Sequence, residues 1–418
     1  MTQPMNQPMN QPSHPAQTRK GTGVGADGTF NMPTRVQFGR GVVSTLAEEA
    51  KLFGVHRVMV VTDPGVLATG LVEPLVQDLR SSGFDVTIFD KVQPNPRDLH
   101  CMEGAALAAD QGVELLVGVG GGSPIDTAKC IGVLLTNGGH PRDWEDFGAL
   151  KADPTPVIAI PTTAGTGSEV SPSSIVTDTE RKKKMNLFDP RICPRVALVD
   201  PDLTFSVPAH VTAATGMDAL SHSIDSLHCL LDTPASDAMA LEGARLNALF
   251  LERAVTDGGD VEARCGMAQA SLVAGLAVGI TDVSGCHSIA EAIGATYDHP
   301  HGVCCAIGLP MIMEYNLPAS ADKYARLAQM FGINTFGLLD QEAGLAAITY
   351  VRERNARLGI PALSELIDEA DVDLLAQKAF ANTSTPSNPL SPDVAAFRLM
   401  FVRELERDRA VGAERSSG

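Results

Sequence analysis

Val117-Gly118-Val119-Gly120-Gly121-Gly122-Ser123-Pro124-Ile125-Asp126-Thr127-Ala128-Lys129 is the stretch that decides the fold class. An apolar run, Leu115 to Val119, empties into three glycines. Ser123 follows in an N-cap-like position, with Pro124 in the first helical turn. The segment therefore reads as strand, tight turn, helix. Glycines let a backbone approach a phosphate with no Cβ in the way. The free amides and partial positive charge of a helix N-terminus suit a pyrophosphate. The spacing is not GxGxxG, and no GK[ST] follows. A turn without a ligand is the plain alternative for this motif taken by itself.

Outward from this point the same pattern recurs. Val58 to Val61, Val86 to Phe89, Val157 to Ile160 and Val196 to Val199 are short apolar runs closed by turn residues, which predicts strands. Helix-like stretches lie between them, for example Leu71 to Ser82 and His100 to Gln111. Strands alternating with helices predict a parallel sheet covered on both faces. A second loop, Pro161-Thr162-Thr163-Ala164-Gly165-Thr166-Gly167-Ser168-Glu169, also follows a strand and offers hydroxyls and glycines with little bulk. Ligands of open parallel sheets lie beyond the carboxyl ends of strands, so the two loops together predict a dinucleotide site. Asp63 ends another strand; a carboxylate there accepts from ribose hydroxyls and repels a 2′-phosphate, although an Asp also simply starts turns.

After about residue 206 the β-branched runs give way to Ala/Leu/Met-rich segments such as Asp237 to Val255 and Val261 to Gly279. The expected organisation is a disordered tail over 1–29, where Pro recurs every fourth residue at the start, an α/β nucleotide-binding domain over 30–205, and an all-helical domain over 206–418.

Composition narrows the function. Of 418 residues, 44% are hydrophobic and 20% charged, which fits a globular chain and excludes a wholly disordered or fibrous one. A net charge of −18 opposes nucleic-acid binding. The one dense basic run, Arg181-Lys182-Lys183-Lys184, reads as a solvated turn for its first three members. No apolar run reaches the ~18–20 residues of a membrane span. Eight cysteines without a CxxC pair, and no apolar segment at the start of the chain, lead us to expect free thiols in the cytoplasm. Adjacent Cys304 and Cys305 read as small buried packing residues.

The helical half holds a candidate metal constellation. Asp218 and His222 are four apart and share a helix face. His287 and His301 follow, with Gly294 and Pro300 allowing a bend between them. One carboxylate and three imidazoles suit a divalent metal, Fe(II) or Zn(II), with a position open for a substrate oxygen. His14, His56, His100, His140, His210 and His228 read as structural.

Gly120 to Asp126, Pro161 to Glu169, Gly216-Met217-Asp218-Ala219-Leu220-Ser221-His222 and Pro300-His301-Gly302 together resemble the iron-containing (group III) alcohol dehydrogenase family, from about Phe30 to about Arg407. The resemblance implies a dehydroquinate synthase-like architecture: a nucleotide-binding α/β domain, a helical metal domain and an active site between them. It implies interconversion of an alcohol with an aldehyde or ketone, using NAD(H) and Fe(II). Asp218, His222, His287 and His301 then match the metal ligands. Gly121, Gly122 and Ser123 match pyrophosphate contacts, and Asp126 of the same motif a further cofactor-binding position. Thr162, Thr163, Thr166, Lys184 and Leu198 match further cofactor contacts, and Asp63 the preference for NAD over NADP. A homodimer or larger homo-oligomer is expected, with a small alcohol or aldehyde as partner and neither nucleic acid nor membrane. One position departs from the family. Where it commonly has HxxxH, this chain has His287-Ser288-Ile289-Ala290-Glu291. Glu291, one helical turn from His287, is the candidate to accept the alcohol proton, approach the metal or select a polar substrate. The rivals are a lyase of the dehydroquinate synthase type, a non-enzymatic binding protein and a transhydrogenase with tightly held NAD.

Overall fold

Three strands, Leu115–Gly120, Val157–Pro161 and Val196–Val199, are buried along their whole length, as expected for a parallel sheet with both faces covered. The computed structural model describes residues 32–416 apart from residue 146, so the expected tail over 1–29 lies outside the described residues. Short 3₁₀ turns aside, the chain runs β1 (Arg35–Phe38), α1 (Leu46–Lys51), β2 (Arg57–Val61), α2 (Pro64–Ala68), α3 (Val72–Ser81), β3 (Asp85–Phe89), α4 (Asp98–Asp110), β4 (Leu115–Gly120), α5 (Gly122–Asn137), β5 (Val157–Pro161), β6 (Ser173–Asp178), β7 (Lys183–Phe188) and β8 (Val196–Val199). Helices follow: α6 (Ala209–His228), α7 (Pro234–Thr256), α8 (Val261–Ile280), α9 (Gly285–Tyr297), α10 (His301–Met330), α11 (Asp340–Arg357), α12 (Val372–Phe380) and α13 (Val394–Ser416).

Six strands form one sheet in the order β1-β8-β5-β4-β2-β3, every neighbouring pair parallel. The chain leaves β2 toward β3, returns to β4 and continues the other way to β5. The order therefore reverses between β2 and β4, where open α/β sheets bind ligands. Two elements are not foreseen by the apolar-run pattern. β1 is a four-residue edge strand with a glutamine in it. β6 and β7 form a separate antiparallel hairpin whose strands alternate in burial; exposed Lys183 and half-buried Lys184 open β7 and mask the apolar alternation carried by Met185 and Leu187. Lys182, in its turn, takes a left-handed φ of 49°.

The helical half encloses its own apolar core, running from Met217 and Leu220 of α6 through Ile289 of α9 to Phe397 and Phe401 of α13. Among the described residues one helix, α8, is long and apolar enough to cross a membrane by length and composition, a feature the reading of apolar runs passes over. It lies in the fold with Ala263, Met267, Ala270 and Ala277 buried in that core.

Candidate active site

The loop after β4 is built from backbone. The N-cap of α5 is Gly121, which has no side-chain cap, and Gly122 opens the helix. This corrects the N-cap-like placement of Ser123, which lies one residue inside the helix. A glycine cap leaves the first-turn amides unclaimed by any side chain, as an anion site requires. The loop after β5 packs against it. A Cβ on Gly122 would stand 2.9 Å from Thr166 Cγ2, and one on Gly121 3.3 Å from Thr163 Oγ1. A dinucleotide pyrophosphate fits this cradle, which any side chain at Gly121 or Gly122 would narrow.

The other expected cofactor residues fall into two groups. Gly122, Ser123, Asp126, Thr166 and Lys184 line a cavity of about 440 Å³ between the sheet's C-terminal edge and the helices. Asp63, Gly121, Thr162, Thr163 and Leu198 lie outside its wall. Asp63 caps α2, accepting from the Val66 amide at 2.9 Å, and its Oδ2 faces Gly120. Thr162 is buried, its amide donating to Gly120 at 2.9 Å. Leu198 packs in the apolar layer of the sheet. Asp126 is committed to structure: its carboxylate accepts from Ser168 Oγ at 2.5 Å and the Ile175 amide at 3.2 Å, with buried Lys129 at 3.6 Å. Burial pushes that carboxyl up and Lys129 opposes the shift. Asp126 thus ties α5 to the second loop and the hairpin.

The four expected metal residues converge. Asp218 and His222 come from α6, His287 from α9, and His301 from the first turn of α10. Asp218 Oδ1 stands 3.9 Å from His222 Nε2, 3.9 Å from His287 Nε2 and 3.6 Å from His301 Nε2. The His222 ring stacks on His287 with centroids 4.8 Å apart. Gly302 permits this meeting, because a Cβ there would stand 2.2 Å from the Ala214 carbonyl oxygen of α6. The turn between His287 and His301 is made by Asp298, at a left-handed φ of 57°, and by Pro300 as the cap of α10. Gly294 stays inside α9, so the expected bend falls later than Gly294.

The electrostatics suit a cation. Asp218 Oδ1 and His287 Nε2 are buried without a hydrogen-bond partner, a loss of roughly 1–3 kcal/mol each unless something else satisfies them. Burial would raise the Asp218 carboxyl, but His222, His301 and His287 together hold it below its ordinary value. Burial, with Lys184 nearby, keeps the His301 imidazole well below its ordinary value and hence neutral. A carboxylate beside the His222 and His301 imidazoles, both held below their ordinary value, around orphaned atoms fits a divalent metal.

Two features lie behind these donors that sequence reasoning missed. Asp225 is fully buried and accepts from His287 Nδ1 at 2.8 Å, from the Ser284 amide at 2.8 Å and from Ser284 Oγ at 2.7 Å. It also faces His228 Nε2 at 3.1 Å. These bonds hold its carboxyl far below the ordinary range, against burial. A carboxylate on Nδ1 aims the lone pair of Nε2 at the orphaned site. The signal was present: Asp225 falls seven residues after Asp218, on one helix face. The second is Cys305, four residues after His301, whose sulfur lies 3.5 Å from His301 Nε2. Cys304 and Cys305 are both buried, as expected, yet only Cys305 joins the donor cluster.

Glu291 lines the cavity one turn beyond His287, and its Oε2 accepts from Asn382 Nδ2 at 2.6 Å. Asp282, on the same wall, is held by Ser387 at 2.9 Å and Ser384 at 3.3 Å, and burial pushes it up to about 6. The basic residues of the wall come mainly from the hairpin, Arg181 to Lys184, with Lys378 from α12. Arg181 and Lys183 are paired with Glu145 at 2.8 and 2.7 Å.

Residues 33–201 match the family described as iron-containing alcohol dehydrogenase, and residues 212–399 its C-terminal domain. The NAD-dependent methanol dehydrogenase of Bacillus methanolicus is 39% identical over 362 residues, covering 86% of this chain and 95% of that protein. The 1,3-propanediol dehydrogenase of Klebsiella pneumoniae is 38% identical, covering 84% and 92%. A solved 1,3-propanediol oxidoreductase superposes with a TM-score of 0.88 at 35% identity, covering 91% of this chain and all of that one. These matches favour the dehydrogenase over the lyase. The chain belongs to the iron-containing alcohol dehydrogenase family.

Proposed function

We propose that this chain carries out hydride transfer between NAD(H) and an alcohol–aldehyde or ketone pair inside the cavity, with Fe(II) or Zn(II) held by Asp218, His222, His287 and His301. The observation that carries the reading is the convergence of three imidazoles on Asp218 Oδ1, on the same cavity wall as Gly122 and Ser123. A bound dication would polarise the substrate oxygen as a Lewis acid, and the nicotinamide would accept or deliver the hydride.

The chain's own residues do the rest. The amides around Gly121, Gly122 and Ser123 hold the pyrophosphate, and Thr162, Thr163, Thr166 and Lys184 flank its path toward the metal donors. Asp63 beyond β2 favours NAD by its charge. Asp225 fixes the ring of His287. Glu291, steadied by Asn382, is placed to accept the alcohol proton. The division at about residue 205 separates the cofactor-binding half from the metal-binding half. The expected setting is the cytoplasm, as a homodimer or larger assembly.

The test is a panel of small alcohols and aldehydes, with NAD and NADP separately, using protein reconstituted with Fe(II) or Zn(II) and followed by NADH absorbance. Turnover that needs the metal and prefers NAD supports the reading. NAD that survives desalting and cycles between two substrates would favour the transhydrogenase. For Glu291, the pH profile of kcat/KM should change in both Glu291→Gln and Glu291→His; profiles equal to the parent would remove it from the mechanism.

A further inference from the structure

We propose that Cys305 is a further ligand of the same cation, so that the site carries sulfur as well as nitrogen and oxygen. This rests on the metal reading above and deepens it. Cys305 lies one turn along α10 from His301, and the helix face that delivers the imidazole delivers the thiol. The Cys305 sulfur and the ligand atoms of Asp218, His287 and His301 all lie within 4.8 Å of one another. Donors about 2.0–2.3 Å from one shared metal ion stand roughly 3–4 Å apart. The sulfur stands 3.5 Å from His301 Nε2, and His301 Nε2 stands 3.6 Å from Asp218 Oδ1. A second observation points to the same spot: Asp218 Oδ1 and His287 Nε2, both on nearly buried side chains, are aimed into it without partners.

The sulfur also approaches from the useful side. Asp218, His222, His287 and His301 form part of the cavity wall, whereas Cys305 does not and is fully buried. A ligand from the protein interior leaves the cavity face open for a substrate oxygen. On ligation the S–H bond breaks, the sulfur–metal bond forms and the proton leaves to solvent, with no change in oxidation state. Together the Asp218 carboxylate and the Cys305 thiolate then match the charge of a dication. A soft donor shifts preference from Fe(II) toward Zn(II) and Co(II).

The test uses the full chain loaded with Co(II). The parent should show visible d–d bands together with a near-ultraviolet sulfur-to-cobalt charge-transfer band. Cys305→Ser should keep the d–d bands and lose the charge-transfer band, while Cys304→Ala keeps both. In Cys305→Ala, the preference for Zn(II) over Fe(II) in competition should fall by about tenfold or more. A parent with d–d bands but no charge-transfer band overturns the sulfur ligand and leaves the four-residue site standing, and this decides the matter even where a variant fails to fold. A charge-transfer band that persists in Cys305→Ser overturns it too. A parent with no d–d bands overturns the metal reading along with it.

Discussion

The two ends of the cavity are made of different materials. The sheet end presents backbone: glycines, an uncapped helix start and small hydroxyl residues, in two loops each continuous in sequence. The helical end presents side chains: a carboxylate and imidazoles from α6, α9 and α10, brought together by packing and held nearly dry. A backbone site is robust to most substitutions and sensitive to added bulk. A side-chain site fails when any one donor goes, because the remaining buried polar atoms are left unpaired.

This contrast sets the sizes of the effects that would break it. His287→Ala should lower kcat/KM by about a thousandfold or more through loss of Lewis-acid stabilisation worth several kcal/mol, measured by NADH absorbance at saturating metal. A loss under tenfold would mean the helical end does not carry the chemistry. Asp225→Asn should weaken metal binding by roughly 10- to 100-fold with the ligands themselves intact, read by titration calorimetry; parent affinity would show that Asp225 serves folding alone. At the sheet end, Gly122→Val should raise the Kd for NAD by roughly 10- to 100-fold, the worth of one or two hydrogen bonds to a charged group, while metal content stays at the parent value. Loss of both would show that the two ends are not separable.

The smallest effect is one of pH. Glu169, in the second loop, is buried, and burial raises its carboxyl from 4.5 to about 6. Its folded value lies above its unfolded one, so ionising it costs stability. The cost is absent below about pH 4.5 and complete above about pH 6. Glu169→Gln should therefore stabilise the fold by about 2 kcal/mol at pH 8 and by nothing at pH 4, in denaturant melts at the two values. An equal gain at both would assign the effect to packing.

The same contrast explains what the sequence made legible. The sheet end was readable because each of its loops is a local pattern: a buried strand, glycines, then a helix start. What local pattern missed there is tertiary. Asp126 looks like part of the cradle in sequence, and only the fold shows it bonded to Ser168 and Ile175. Leu198 matched a family position, yet its side chain faces the core. At the helical end the four side chains that converge were readable from spacing plus resemblance, because Asp218 and His222 announce one helix face and His301 stands between Pro300 and Gly302. Asp225 and Cys305 occupy equally regular positions, seven residues from Asp218 and four from His301, but spacing gives no reason to prefer them over other polar residues until α9 and α10 are packed against α6. The β6–β7 hairpin was hidden for a related reason, since its lysines read as a charged turn and only the sheet geometry shows which neighbours point inward.

The most direct test of the account is the metal equivalence of the purified chain, measured by elemental analysis after anaerobic reconstitution and desalting, in the parent and in Asp218→Asn. The account predicts one tightly held divalent ion per parent chain and at least about a hundredfold weaker binding in the variant. An Asp218→Asn protein that retains a full equivalent at parent affinity would contradict it, because the three imidazoles would then not be gathered around that carboxylate by a shared cation.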